Sequence, residues 1–426
     1  MLNRMYGVAF FCFCVAAGGA ARAQDLTYIR AGQLVDVVAG QMLSNQTIVV
    51  RGERIERVAP SASINIPAYG NVIDLSNATV LPGLIDMHVH LTGDPEAQGY
   101  ERLAASVPRN ALFGAANARR TLYAGFTTVR NVGAAGYADV ALRDAINHGD
   151  VPGPRMRVAA RSLGITGGHC DNNLLPAEYG AEADGVADGP WEIRKRIREN
   201  VKFGADLTKF CATGGVLSKG DSVGGQQYSL EEMLAIVTES HQRNRKVAAH
   251  AHGADGIKAA IQAGVDSIEH ASLIDDEGIR MARESGAFLV MDIYVDTYIL
   301  EMGEAAGFLP ESIEKERIVG QTQRDNFRKA HAAGVRMAFG TDAGVYPHGN
   351  NARQFAYMVE YGMTPMEAIR TATVNAAELL GWPKDVGAIQ SGMYADIIAV
   401  RGNPLEDVHE LEDVSFVMKG GVVYWQ

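Results

Sequence analysis

From Leu26 to Ile73 apolar and polar positions alternate in short pieces, TYIRAGQLVDVV, QTIVVRGERIERVA and NVIDL, broken by Gly, Asn and Pro turns. That period predicts strands of a small sheet. The far end has the same texture, with ADIIAV and SFVMKGGVVYW around a KGG turn. Two β-rich ends around a different middle predict one small β-sandwich domain built from residues 24–78 and 381–426.

The middle, residues 79–380, changes rhythm. Eight near-continuous apolar runs end in polar residues: ATVLPGLIDMHVH, FTTVRNVG, RMRVAARSLGIT, ADLTKFCATGG, KVAAHAHG, DSIEHAS, AFLVMDIY and RMAFGTDAG. Each suits a parallel strand covered on both faces, and the amphipathic windows between them suit crossover helices. Ser229 and Glu232 form a capping box, after which Leu230, Met233, Leu234 and Val237 are expected on one helical face. Eight such units predict an α/β fold, a (β/α)8 TIM barrel. The insertion DNNLLPAEYGAEADGVADGP, between Cys170 and Trp191, reads as a lid loop, because unstructured loops of this length tend to be functional.

Met1–Gln24 follows neither pattern. Arg4, the apolar stretch Val8–Ala17 and Ala21-Arg22-Ala23 have the layout of a signal peptide, residues 1–23, with cleavage near Ala23/Gln24. The run is shorter than the roughly 20 residues of a membrane span, so a periplasmic or secreted protein without a stable membrane anchor is expected.

Composition narrows the function. The 426 residues carry 39 Lys+Arg against 50 Asp+Glu, a formal charge of −11, which gives no electrostatic drive toward nucleic acid. Losing Arg4 and Arg22 with the leader takes the charge from −11 to −13. Two of the four cysteines lie in the leader, leaving Cys170 and Cys211. A disulfide between them and two buried thiols are equally open, and Cys211 by itself reads as packing.

The polar ends of the runs carry the chemistry. His88 and His90 are two apart, as are His250 and His252, so each pair shares a strand face. His270, Asp342 and Lys209 end three further runs. Burying so many ionisable groups costs several kcal/mol each unless they pair or bind metal, and the strand C-termini are where this fold builds its sites. His169, in the glycine-rich ITGGHCD, can reach the mouth to polarise a carbonyl or bind substrate. Tyr228 is a candidate donor to a substrate carboxylate or oxyanion. Arg130 follows run two without an assigned role.

The pieces PGLIDMHVH, TKF at Lys209, AAHAHG, SIEHAS, GTDAG and the tail GxxxxGxxADIIAV from Gly387 occur in this order, and together they resemble the amidohydrolase superfamily. Within it the chain is most similar to the imidazolonepropionase-related metallo-dipeptidases and carboxypeptidases. That group includes Xaa-Pro dipeptidase-like, Lys/Arg carboxypeptidase-like and ochratoxin-hydrolysing enzymes. The resemblance implies two Zn²⁺ per chain. His88, His90 and Asp342 would hold one, His250 and His270 the other, and a carboxylated Lys209 would bridge them. It places the ligand at His250 where spacing leaves His250 and His252 open, so that His252 faces substrate.

By the same resemblance a hydroxide shared by the metals attacks the C-terminal amide of a dipeptide, short peptide or N-acyl amino acid, and Asp342 shuttles the proton. His169 and His252 assist, and the enzyme is a homo-oligomer, up to an octamer. Two other readings remain: a cyclic amidohydrolase opening a ring amide or imidazolone, and an exported binding protein with a degenerate site. The acidic loop residues Glu178, Glu182, Asp184 and Asp188 suggest a preference for C-terminal Lys or Arg, or simply a solvated surface.

Overall fold

The computed structural model describes residues 26–426; the leader expected at residues 1–23 lies outside them. Four strands open the chain: Leu26–Asp36 (β1), Gln41–Arg51 (β2), Arg54–Pro60 (β3) and Asn71–Pro82 (β4). The β1–β2 hairpin turns where Asp36 Oδ1 accepts from the amides of Val38 and Ala39 at 3.1 and 2.9 Å.

The barrel follows: Leu84–Val89 (β5), Phe126–Asn131 (β6), Arg155–Val158 (β7), Leu207–Cys211 (β8), Lys246–Gly253 (β9), Ser267–Leu273 (β10) and Phe288–Val290 (β11). All neighbours are parallel, in two arcs, β5-β6-β7 and β8-β9-β10-β11. Backbone bonds join the arcs. Leu163 N–H donates to the Lys209 carbonyl and Cys211 N–H to the Leu163 carbonyl, both at 2.9 Å. The eighth run, residues 336–344, is no continuous strand, yet it closes the ring. Ala338 donates to Leu289 at 3.1 Å, while Met87 and His90 donate to Phe339 and Ala343 at 2.8 Å. The expected eight-stranded barrel is therefore present, its last stave held by isolated bonds.

The chain then returns to the first sheet with Ile397–Val400 (β12), Phe416–Lys419 (β13) and Val422–Trp425 (β14). The order is β14-β13-β12-β4-β1-β2-β3. Residues 392–395 bond back to Ile55 of β3 and to Glu53 just before it, curling the sheet around Ile29, Ile48, Val50, Val80, Phe416 and Met418. β12 ties the two halves together by its alternation. Ile397 and Ala399 enter this small core, whereas Ile398 and Val400 enter the main core of the barrel.

The Ser229–Glu232 capping box is present and starts the helix Leu230–His241. Its buried stripe is Met233, Ile236, Val237 and Ser240, so Leu234 points outward, 44% exposed, against expectation. Among the described residues no helix is long and apolar enough to cross a membrane.

Candidate metal centre

A cavity of about 560 Å³ opens at the C-terminal ends of the barrel strands, lined by His88, His90, His169, Lys209, His250, His252, His270 and Asp342. Three three-residue groups there bring ligand atoms within 4.8 Å of one another among the described residues: His88, His90 and Asp342; His250, His252 and His270; and His270, Asp292 and Asp342. His88 and His90 leave β5 on one face, their rings 5.4 Å apart. Asp342 approaches from the eighth run with φ 55°, and His270 turns off β10 with φ 68°. Such left-handed non-glycine residues are costly, and their place here marks a functional constraint. Gly344, φ 119°, lets the two ligand-bearing segments touch, since a Cβ there would meet the Cβ of His90 at 2.7 Å.

Each imidazole except His250 has Nδ1 engaged. His88 Nδ1 pairs with Glu269 at 3.0 Å, His270 Nδ1 with Asp292 at 2.9 Å, and His90 Nδ1 donates to the Gly133 carbonyl at 3.4 Å. His252 Nδ1 meets Ser272 Oγ, and His169 Nδ1 meets Ser218 Oγ, both at 2.8 Å. An Nδ1–H given to a carboxylate or carbonyl fixes the tautomer and leaves Nε2 as a lone pair, the usual outer support of a metal ligand. Glu269 is held by Arg130, whose Nη2 donates to both carboxylate oxygens at 2.7 and 2.8 Å.

The test of metal fit lies in what is left over. His88 Nε2, His250 Nε2 and Asp342 Oδ1 are buried without a hydrogen-bond partner, although His88 and His90 Nε2 stand 3.4 and 3.3 Å from Asp342 Oδ1. Lone pairs facing one another across that distance repel unless a proton or cation sits among them. The donor set is imidazole and carboxylate, which suits a divalent cation of the zinc type. Burial drives His88 and His250 well below the ordinary imidazole range and His90 to about 3, so these three rings are neutral, as ligands must be, whereas His270, against its burial, is raised by Asp292.

Lys209 is 4% exposed, and its side chain makes no hydrogen bond or ion pair among the described residues. Burial lowers its pKa despite the opposing pull of Glu269 and Asp342. A buried amine shifted toward neutrality is a nucleophile, and it lines the cavity with the histidines.

His169 stacks on His250, ring centroids 4.1 Å apart. Its chain runs on from Ser218 Oγ to Asp221 Oδ1 at 2.6 Å, and Lys315 Nζ clamps Asp221 at 2.7 Å. Burial keeps the ring neutral at rest, its pKa near 3. Polarising a carbonyl needs a proton on Nε2 as well, and Asp221 at the far end is the charge that would hold it there. Cys170, next to His169, is disulfide-bonded to Cys211, two residues past Lys209. The alternative of two free thiols, and of Cys211 as packing alone, is thereby corrected.

Tyr228 does not reach the mouth. It is fully buried in the main core, and its hydroxyl donates to the Ala187 carbonyl at 3.0 Å. The segment before the capping box turns inward, because Gln227 N–H bonds the Ala212 carbonyl and draws the chain onto β8. The loop after Cys170 does flank the cavity, through Asp171 to Leu174 and Ala183. Its acids Glu178, Glu182, Asp184 and Asp188 are exposed and none lines the cavity. Asp184 pairs with Arg161 and Asp188 accepts from Thr166, as solvated surface acids do.

Sequence reasoning missed Glu269, Asp292, Ser218, Asp221 and Lys315. Asp292 carried a signal, a carboxylate at the polar end of run seven in the place Asp342 takes in run eight.

Residues 79–424 match the model of the amidohydrolase family. An ochratoxinase from Aspergillus niger is 34% identical, the match covering 94% of this chain and 86% of that one. The crystal structure of a Xaa-Pro dipeptidase with bound methionine in the active site is 40% identical, with a TM-score of 0.87 over 94% of this chain and all of that one. A prolidase structure complexed with N-methylphosphonate-L-proline is 32% identical, with a TM-score of 0.86 and the same coverage.

Proposed function

The chain belongs to the amidohydrolase family and is a hydrolase of amide bonds acting on small molecules; from that premise we propose that it cleaves the C-terminal amide of dipeptides, short peptides or N-acyl amino acids bearing a free α-carboxylate. The observation that carries the reading is the convergence of His88 Nε2, His250 Nε2 and Asp342 Oδ1, buried and unpartnered, beside an unpartnered buried Lys209. His88, His90 and Asp342 would hold one Zn²⁺ and His250 with His270 a second, Lys209 bridging as its carbamate. Bound there, the cations supply Lewis acidity to the attacking water and the scissile carbonyl.

The residues divide the remaining work. Asp342, with Oδ1 turned toward His88 and His90, has Oδ2 to accept the water proton and return it to the leaving amine. His169 faces the carbonyl oxygen, braced by Ser218 and Asp221. His252, with Nδ1 tied to Ser272 and no unpartnered buried nitrogen, suits substrate contact better than His250 does. Support for a free carboxylate comes from the two solved relatives, whose bound methionine and proline phosphonate both carry one. The periplasmic or secreted location after cleavage near Ala23, and assembly as a homo-oligomer, belong to the same proposal.

The experiment is metal analysis of the active protein beside a panel of free-acid and C-terminally amidated dipeptides. About two zinc per chain is expected, with Lys209→Ala losing one and most activity. Amidation should cut kcat/KM by about ten- to hundredfold for each charge-assisted bond lost. Equal turnover of acid and amide, or activity confined to cyclic amides, would overturn the proposal.

A further inference from the structure

Tyr228 lies in the core, so the carboxylate of a free-acid substrate needs another partner at the mouth. Among the described residues three Lys or Arg side chains line the cavity: Arg102, Lys209 and Lys219. Lys209 stands among the proposed metal ligands, which leaves the other two.

Arg102 belongs to a short helical turn, Gly99–Ala104, on the loop that follows β5, and it is exposed at the cavity mouth. Neutral oxygens brace its guanidinium. Nε donates to the Ala97 carbonyl at 3.2 Å and Nη2 to Gln98 Oε1 at 2.7 Å. Gln98 is itself 4% exposed, and its Nε2 donates to the Pro95 carbonyl at 3.1 Å, which fixes Oε1 as the atom that meets Arg102. A guanidinium has five N–H donors, so Nη1 keeps both of its hydrogens and Nη2 keeps one. That is enough to take a carboxylate in two parallel bonds.

No acid of the chain takes that place. Among the described residues Arg102 makes no ion pair, whereas Arg130 holds Glu269, Arg161 holds Asp184 and Arg324 approaches Asp296. Its charge nevertheless reaches the metal centre. Beside burial and Lys209, it helps to hold the His90 imidazole neutral, and the Asp342 charge works against the lowering that enclosure by the cavity imposes on Arg102 itself. Lys219 is exposed and donates to Tyr100 Oη at 3.3 Å.

Resting on the proposed hydrolysis of free-acid substrates, we infer that Arg102 binds the substrate's α-carboxylate through its free Nη1 and Nη2 hydrogens, a binding residue that selects for an unblocked C-terminus. The spacing of a peptide agrees. Successive Cα atoms lie about 3.8 Å apart, so the carboxylate of a C-terminal residue stays within one residue's length of the scissile carbonyl. Its anchor must stand beside the metal centre without entering it, as a braced arginine on the cavity wall does.

The zinc-loaded chain and its Arg102→Ala, Arg102→Lys and Lys219→Met variants are assayed on the best-cleaved dipeptide without a charged side chain, as free acid and as C-terminal amide. In the parent chain the acid should win by about ten- to hundredfold in kcat/KM. Arg102→Ala should bring that ratio toward one, chiefly through KM of the acid, while Arg102→Lys keeps part of it and Lys219→Met leaves it in place. Added ethylguanidine should raise turnover of the acid by Arg102→Ala and not that of the amide, a rescue that a merely structural role would not give. A ratio unmoved in Arg102→Ala, or lost as fully in Lys219→Met, would overturn the assignment while the hydrolysis stands. A ratio of one in the parent chain removes the free-acid reading and the assignment with it. Calorimetry with N-acetyl-L-leucine and its amide needs no turnover: tighter binding of the acid, lost in Arg102→Ala, supports Arg102 even if no peptide is cleaved, and equal binding counts against it.

Discussion

His88 Nε2 and Asp342 Oδ1 face each other at 3.4 Å, both buried and neither with a hydrogen-bond partner. An imidazole lone pair and a carboxylate oxygen can share that space only with something positive between them. Removing metal with a chelator should therefore lower Tm and abolish hydrolysis, and zinc should restore both. Full activity after exhaustive chelation, with metal absent by mass spectrometry, would contradict the assignment.

Arg130 and Glu269 set up a second test. Both are buried, and Glu269 passes the interaction on to His88. Truncating one partner of a buried pair strands the other charge, so Arg130→Met should cost about 3–5 kcal/mol of stability and loosen metal binding at His88. The double variant Arg130→Met with Glu269→Leu should cost less than the single variant in denaturant titrations. Equal losses would show that the pair does not act as a unit.

Asp139 gives a pH dependence. It is fully buried, accepting from Ala160 N–H at 3.0 Å and from Asn131 Nδ2 at 3.2 Å, and burial raises it to about 6. A carboxyl with a raised pKa holds its proton more tightly in the folded chain. Its contribution is complete below the unfolded value near 4 and is lost as pH rises through about 6, on the order of 3 kcal/mol. Asp139→Asn should flatten the fall of stability between those values; an identical slope would argue that the carboxyl is ionised throughout.

The disulfide Cys170–Cys211 fastens the His169 loop to the strand carrying Lys209. Replacing both cysteines by Ala should cost about 2–4 kcal/mol and lower kcat/KM through His169 while zinc content holds. Loss of zinc in that variant would mean the bond supports the ligands instead.

The barrel was legible because each strand writes its burial into a run of apolar residues, and most ligand candidates stood at the ends of those runs. What was lost depended on local departures from regular geometry. Glu269 and His270 are adjacent, so strict alternation puts them on opposite faces. The positive φ of His270 and Ala271, with the register shift between His270 and Leu273, turns the ligand into the mouth while Glu269 reaches His88. Tyr228 stood beside a correctly read helix cap, but its direction was decided by a backbone bond to Ala212 that no pattern encodes. The disulfide, too, needed the approach of a loop and a barrel strand whose cysteines are 41 residues apart.

The ring closes where β5 meets the run 336–344, the first stave against the last, and that seam is made of scattered backbone bonds. His88 and His90 lie on one lip of the seam and Asp342 on the other. An ion held by all three would act as a clasp across the joint with the longest contact order in the barrel, the joint expected to form late in folding. Metal would then govern how slowly the barrel opens as well as what it catalyses. The chelated protein should show a faster unfolding limb with little change in refolding, the kinetic signature of a fastening made after the transition state.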